Sequence, residues 1–129
     1  MPFSLQRLPG SAVLIVTGQG AGSLEESERV LEELARQQLA PVLHGVLFDL
    51  RALDWLPNPE EARQIAARYG SFGARYGCRM AYLAPPGAQY GVARMIEMLS
   101  QQYGVRAATF ATFEAAHAWL LSEVRAMGA

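Results

Sequence analysis

Short apolar runs alternate along this chain with longer segments in which apolar residues recur every three or four positions. Short runs are typical of strands, and the longer spacing is typical of helices that bury one face. The predicted element order is β-β-α-β-α-β-α-β-α. The predicted strands are Phe3–Leu8, Ala12–Thr17, Val46–Leu50, Arg79–Leu83 and Val105–Phe110. The predicted helices run from Ser23 to about Gln38, from Pro59 to about Tyr76, from Ala88 to Tyr103 and from Phe113 to about Met127.

This order predicts the fold class. A turn at Pro9 and Gly10 joins the first two strands, so they should be antiparallel, with the first at an edge. The other strands are linked by helices, which gives parallel pairs with right-handed crossovers. We therefore expect one α/β domain over residues 1–129. Its sheet should be mixed and five-stranded, with an antiparallel N-terminal edge strand, a largely parallel remainder and four helices.

The stretch Val46–Ala66 organises this prediction. A buried strand leads through a short connection, Arg51–Pro57, into a helix with a strong start. Asn58 can cap that helix, Pro59 suits its first turn, and Glu61 completes a capping box. Open α/β sheets bind partners at the carboxyl ends of their strands, so Ala52–Asn58 should lie on the working edge.

The glycine-rich segment Gly18–Gly22 precedes the first helix. Its G-x-G-x-G spacing differs from the dinucleotide fingerprint, and no phosphate-loop lysine follows. We expect a flexible loop that leads into a helix capped by Ser23 and Glu26.

Charge and composition narrow the function classes. The 129 residues are 51% hydrophobic with net charge −1, and all eleven basic residues are arginines scattered along the chain. Nucleic acid is not expected as a partner, because phosphate binding needs a concentrated basic face. A lone cysteine, two histidines and few aspartates argue against a disulfide framework, a metal site or another cofactor. Without a membrane-length apolar run or a signal-peptide pattern, we expect a cytoplasmic protein.

The candidate binding residues cluster on the predicted working edge. Trp55, beside Asp54, could stack on a ligand or anchor a partner, or it could cover the core edge. Asn58 follows on the same connection. Tyr90 and Arg94 can share one helix face, and with Gln19 and Asp54 they could border a pocket; an ordinary exposed face is the alternative.

Other reactive side chains have simpler structural explanations. Asp49, in an apolar strand, should be paired or hydrogen-bonded, although a proton-transfer role is an alternative. His117 should lie at a helix rim, and Cys78 should be a buried inert thiol. We find no nucleophile elbow and no convergent catalytic set, so we do not expect an enzyme.

The chain resembles the STAS superfamily and, more narrowly, the SpoIIAA-like family of small bacterial proteins related to anti-anti-sigma factors. The resemblance covers nearly the whole chain. It rests on the element order and on three stretches: Val46–Pro59, Arg79–Gly87 and Thr109–Leu120. It implies the same fold, which is also likened to the lipid-carrying CRAL-TRIO domain, and a regulatory role.

One departure from that family concerns phosphorylation. In anti-anti-sigma factors a phosphorylated serine opens the helix after the central strand, where this chain has Pro57-Asn58-Pro59. No serine or threonine lies between Arg51 and Tyr69. We therefore do not transfer the phosphorylation switch.

Two kinds of function follow from these observations. The first is a non-enzymatic regulatory or protein-interaction module that acts through Asp54–Asn58. The second is a carrier of a small lipid-like or nucleotide-like ligand held between the helices and the sheet. A homodimer through Met98, which lies off the predicted buried stripe, is a further hypothesis.

Overall fold

The computed structural model describes residues 3–7, 12–36 and 45–128, with side chains described through residue 121. Five strands form one sheet in the order β1-β2-β3-β4-β5. The strands are β1 Phe3–Arg7, β2 Val13–Ala21, β3 Gly45–Asp54, β4 Arg79–Leu83 and β5 Ala107–Phe110. The helices are α1 Leu24–Arg36, α2 Pro59–Tyr76, α3 Ala88–Ser100 and α4 Phe113–Gly128, with a 3-10 turn at Gln101–Tyr103.

The predicted order and sheet are confirmed. β1 pairs with β2 in antiparallel register, and the three other pairs are parallel. The predicted turn at Pro9 and Gly10, the strand end at Leu8 and the helix end near Gln38 lie outside the described residues. In the described part of the chain, no helix has the length and apolarity needed to cross a bilayer.

Helices cover both faces of the sheet. The strands from β2 to β5 are added in one direction. Successive right-handed crossovers then place α1, α2 and α3 on the same face. Alternate strand residues, such as Val46 and Phe48, face this layer and form the main core. Leu47, between them, packs with Ala116 and Leu120 of α4 on the opposite face. Side chains alternate between the two faces of each strand, so the sheet has an apolar surface on both sides, and each helix packs one apolar face against it. The molecule therefore has three layers.

Two predicted boundaries were wrong. The segment Gly18–Gly22 is not a flexible loop: β2 continues through Ala21. The connection does not begin at Arg51, because β3 continues through Asp54. The two errors have one cause, since Gln19–Ala21 pair with Ala52–Asp54 and each segment supplies the hydrogen-bonding partner of the other. Pairing between strands distant in sequence overrides the weak strand propensity of glycine.

A β-bulge interrupts β3 before this extension. Thr17 is opposite Asp49 and Gln19 is opposite Ala52, so two steps along β2 match three along β3. Such an extra residue reverses the faces of all residues that follow it. Without the bulge, Ala52 and Asp54 would continue the core face of Phe48. With it, Leu53 joins the main core, and Trp55 packs against the same cluster.

The α2–α3 contact depends on a glycine in α2. A Cβ atom built on Gly70 would lie 2.7 Å from the backbone oxygen of Ser100 and 3.0 Å from Tyr103 Cβ. The helix therefore approaches the end of α3 more closely than any other residue would allow.

We expect Gly70→Ala to destabilise the protein by about 1–3 kcal/mol, because overpacking outweighs the gain of up to about 1 kcal/mol in helix propensity. Gly91→Ala is the matched control. Gly91 lies in α3 with open space where its Cβ would be, so this variant should gain about 0.5–1 kcal/mol. Urea denaturation gives both free energies of unfolding. Equal stabilisation by the two substitutions would contradict the close contact.

Candidate functional site

Asp49 and Arg51 hold the bulge in place. The backbone N–H of Arg51 donates to Asp49 Oδ1 over 3.2 Å, and the guanidinium donates to both carboxylate oxygens over 3.0 and 2.9 Å. These hydrogen bonds hold the pKa of Asp49 below its usual range, against the opposing effect of partial burial. Asp49 is thus paired, as expected, and its partner Arg51 lies on the same strand. The pair satisfies an N–H group at the bulge and fixes where β3 turns toward the helices.

The connection Trp55–Asn58 begins where the extended β3 ends. Trp55 is half-buried against the core, whereas Leu56 keeps 51% of its surface exposed. Asn58 closes the connection as the N-cap of α2. Its side chain accepts from the Glu61 N–H over 2.8 Å, and its own N–H donates to the Glu61 carboxylate over 3.0 Å. This capping box occupies the helix start, so the predicted helix cap is confirmed and its polar atoms serve the fold.

A small apolar pocket of about 70 Å³ lies behind this connection. Leu53, Trp55, Leu56 and Pro57 form its outer rim, and the wall opposite belongs to α3. Its inner residues come from β3, β4, α1 and α2: Phe48, Tyr82, Ser27, Ile65 and Tyr69. This volume is well below the roughly 300–1,000 Å³ of ordinary ligand sites.

The inner wall of the pocket carries no charge. Tyr69 and Tyr82 flank Phe48, with ring centroids 5.2 and 5.5 Å from the Phe48 ring. Burial raises the pKa of both tyrosines, so they stay neutral. The Tyr69 hydroxyl donates to the Ser27 carbonyl over 2.8 Å, and the Ser27 hydroxyl donates to the Leu24 carbonyl over 2.9 Å. Since these polar groups have partners within the protein, the pocket favours an apolar occupant.

The predicted site residues do not all meet at this pocket. Trp55 lines it. Gln19 and Asp54 are exposed on the paired extension of β2 and β3, and neither of them lines the pocket. Tyr90 and Arg94 do not line the pocket. The Tyr90 hydroxyl donates to the Thr109 carbonyl over 3.3 Å, and the exposed Arg94 pairs with the Glu97 carboxylate at 3.0 Å.

Sequence reasoning missed two residues that define the pocket. Gln89 lines it and donates from Nε2 to the Leu53 carbonyl over 3.0 Å, which ties α3 to the extended β3. Leu56 lines it and is also exposed. The indication for Leu56 was its position next to Trp55 in the connection, since single exposed leucines are common on protein surfaces. Gln89 had no comparable indication, since its partner is a backbone group distant in sequence.

The remaining candidates occupy ordinary positions. His117 is partly buried and stacks on Phe113, with ring centroids 5.7 Å apart. Cys78 is buried, as predicted, and desolvation raises the pKa of its thiol to about 11, which disfavours the reactive thiolate. Met98 is 60% exposed on α3, consistent with its position off the buried stripe.

Comparison with solved structures identifies the fold. A protein of the DUF3478 family with a SpoIIAA-like fold, from Shewanella loihica PV-4, matches with a TM-score of 0.60 and 19% identity over 92% of this chain and 91% of that chain. RsbS from Moorella thermoacetica, in a serine-to-glutamate variant, matches with a TM-score of 0.65 and 14% identity over 97% of this chain and 99% of that chain. The chain therefore has the STAS, SpoIIAA-like fold that the sequence predicted. No family model and no curated protein matches the sequence.

We expect Asp49→Asn to lower the free energy of unfolding at neutral pH. The folded carboxyl has a depressed pKa, so its stabilisation is present above the ordinary value of 3.8 and is lost as the pH falls through the lower folded pKa. The stability difference between wild type and variant should therefore shrink below about pH 4. Urea denaturation of wild type and variant across a pH series measures this difference in the free energy of unfolding.

Arg51→Gln provides the partner variant. If the Asp49–Arg51 pair acts as one unit, the effects of Asp49→Asn and Arg51→Gln on the free energy of unfolding should be strongly non-additive in the double variant. A stability difference that stays constant between pH 7 and pH 3 would contradict the assigned role of Asp49.

Proposed function

We propose that this protein is a non-enzymatic regulatory or protein-interaction module of STAS type, and that it binds a protein partner through the connection Asp54–Asn58. The observation that carries the proposal is the exposed Leu56 on the rim of a small apolar pocket at the carboxyl end of β3. An exposed leucine and a half-buried tryptophan beside an apolar recess resemble the anchor residues of protein interfaces. The similarity in fold to RsbS is compatible with this role.

The polar groups at the site support binding rather than catalysis. The tyrosines of the pocket are neutral, and the carboxylate of Asp49 is paired with Arg51. No group of three or more potential metal-binding side chains is found among the described residues. A catalytic site would need a nucleophile and a base within reach of a shared reacting atom, and the pocket wall brings no such pair together.

Control by phosphorylation of the α2 start is not part of the proposal. The position carries Asn58, whose side chain caps the helix, and the segment from Arg51 to Tyr69 contains no hydroxyl amino acid before the tyrosine.

A small-ligand carrier is the second candidate function. It is favoured by the position of the pocket between three helices and the sheet, with an almost wholly apolar lining. A volume of about 70 Å³ is well below the roughly 300–1,000 Å³ of ordinary ligand sites. A carrier would therefore need the connection to move outward before a lipid-like or nucleotide-like molecule could enter.

Native mass spectrometry of the purified protein separates the two functions. For an interaction module we expect the mass of the chain, or of a whole-number oligomer, with no added mass. A mass excess that is lost on denaturation would favour the carrier. Sedimentation at high concentration tests the homodimer, and a monomer would remove the Met98 hypothesis.

The interaction surface is tested by substitution. We expect Leu56→Asp and Trp55→Ala each to reduce capture of a partner from a lysate of the source cells by at least ten-fold, because anchor residues cost about 2 kcal/mol or more when removed. Tyr76→Ala is the matched control: this exposed aromatic residue lies at the far end of α2, about 27 Å along the helix. A partner that binds all three variants equally would overturn the site.

A further inference from the structure

The extended part of β3 has a strand on one side only. Its pairing with β4 stops at Asp49 opposite Leu83, while its pairing with β2 continues to Asp54 opposite Ala21. Among the described residues, Leu50–Asp54 therefore have no strand neighbour on the side that β4 has left. This open edge is about 16 Å long at roughly 3.3 Å per residue, which is the length of a short extended peptide.

A side chain takes the place of a neighbouring strand at this edge. Gln89 Nε2 donates to the Leu53 carbonyl over 3.0 Å, in the manner of a backbone N–H from an adjacent strand. The amide is the end of a flexible side chain at the start of α3, so it can leave without any change in the backbone. The Leu53 carbonyl is thus an acceptor that an incoming peptide could use.

The same edge adjoins an apolar recess and a charge without a partner. Leu50, Leu53 and Trp55 belong to the wall of the pocket, so a side chain of an added strand would be close to it. Asp54 is exposed and has no ion-pair partner within the described residues. Most other carboxylates in the described part are paired with arginine, as in Arg63–Glu60. The edge therefore complements a segment that carries both an aliphatic and a basic side chain.

We propose that the partner of this site presents an extended segment that pairs with Leu50–Asp54 as an added strand. It places an aliphatic side chain in the pocket and an arginine or lysine against Asp54. This inference rests on the proposed function, since it specifies how the protein partner is recognised. On binding, Gln89 gives up the Leu53 carbonyl to a backbone N–H of the partner.

The test uses a phage-displayed library of random eight-residue peptides, selected on the full chain. We expect enriched peptides that combine a leucine, isoleucine or valine with an arginine or lysine at a fixed spacing. In a synthetic peptide, replacing the aliphatic residue by serine should weaken binding by about ten-fold or more. Methylation of single backbone nitrogens should abolish binding at alternate positions only, because alternate amides of a strand face the same neighbour.

Two variants of the protein complete the test. Asp54→Asn should weaken binding by about two- to five-fold, and peptides without the basic residue should not respond to it. Gln89→Ala removes the competing donor, so it should tighten binding by about two- to ten-fold. If the peptide contacts the protein through side chains alone, its binding to Gln89→Ala should be unchanged or weaker. That result would overturn the strand-addition mode.

The possible outcomes distinguish a failure of the strand-addition inference from a failure of the proposed function. Peptides that bind at Leu56 and Trp55 but tolerate methylation at every nitrogen, or that bind as helices, overturn the added strand and leave the interaction site intact. Peptides unaffected by Leu56→Asp and Trp55→Ala overturn the site itself. If the peptide selection enriches no sequences with an aliphatic and a basic residue, the inference is also overturned. The proposed function is then still tested by capture of the protein partner.

Discussion

The β-bulge in β3 is the constraint on which the candidate site depends. One additional residue between Asp49 and Ala52 moves Leu53 to the face covered by α1, α2 and α3 and sets the position of Trp55. The carboxylate of Asp49 holds the bulge through the backbone and the side chain of Arg51. The polar groups of the site therefore shape the backbone, and the apolar groups form the surface that a partner would contact.

Side chains cover the open edges of this sheet in a consistent way. At β5, Gln101 donates to the Ala107 carbonyl and Tyr90 donates to the Thr109 carbonyl. At the extension of β3, Gln89 donates to the Leu53 carbonyl. Such contacts limit unwanted strand addition, because the exposed acceptors already have partners. The β3 edge also lies beside the apolar pocket, and under the strand-addition proposal a side chain of the incoming segment would enter it.

Much of the fold was predictable because it depends on local patterns. The spacing of apolar residues predicted the order of the elements, and the cap of α2 at Asn58 and Glu61 was predicted from three residue types. The extension of β2 through Ala21 was not predictable, because glycines alone favour a loop and the stabilising partner is more than thirty residues away. For the site, Trp55 was found by its unusual position, whereas Gln89 was missed because its hydrogen bond is non-local.

The sequence by itself determined the α/β class, the mixed sheet, the helix starts and the absence of a hydroxyl group for a phosphorylation switch at α2. These properties follow from residue type and periodicity, which act over a few positions. Only the tertiary structure decided that Trp55 and Leu56 border a common pocket while Tyr90 and Arg94 do not. That outcome depends on strand register, and a single additional residue in β3 reverses which side chains face the layer of α1, α2 and α3.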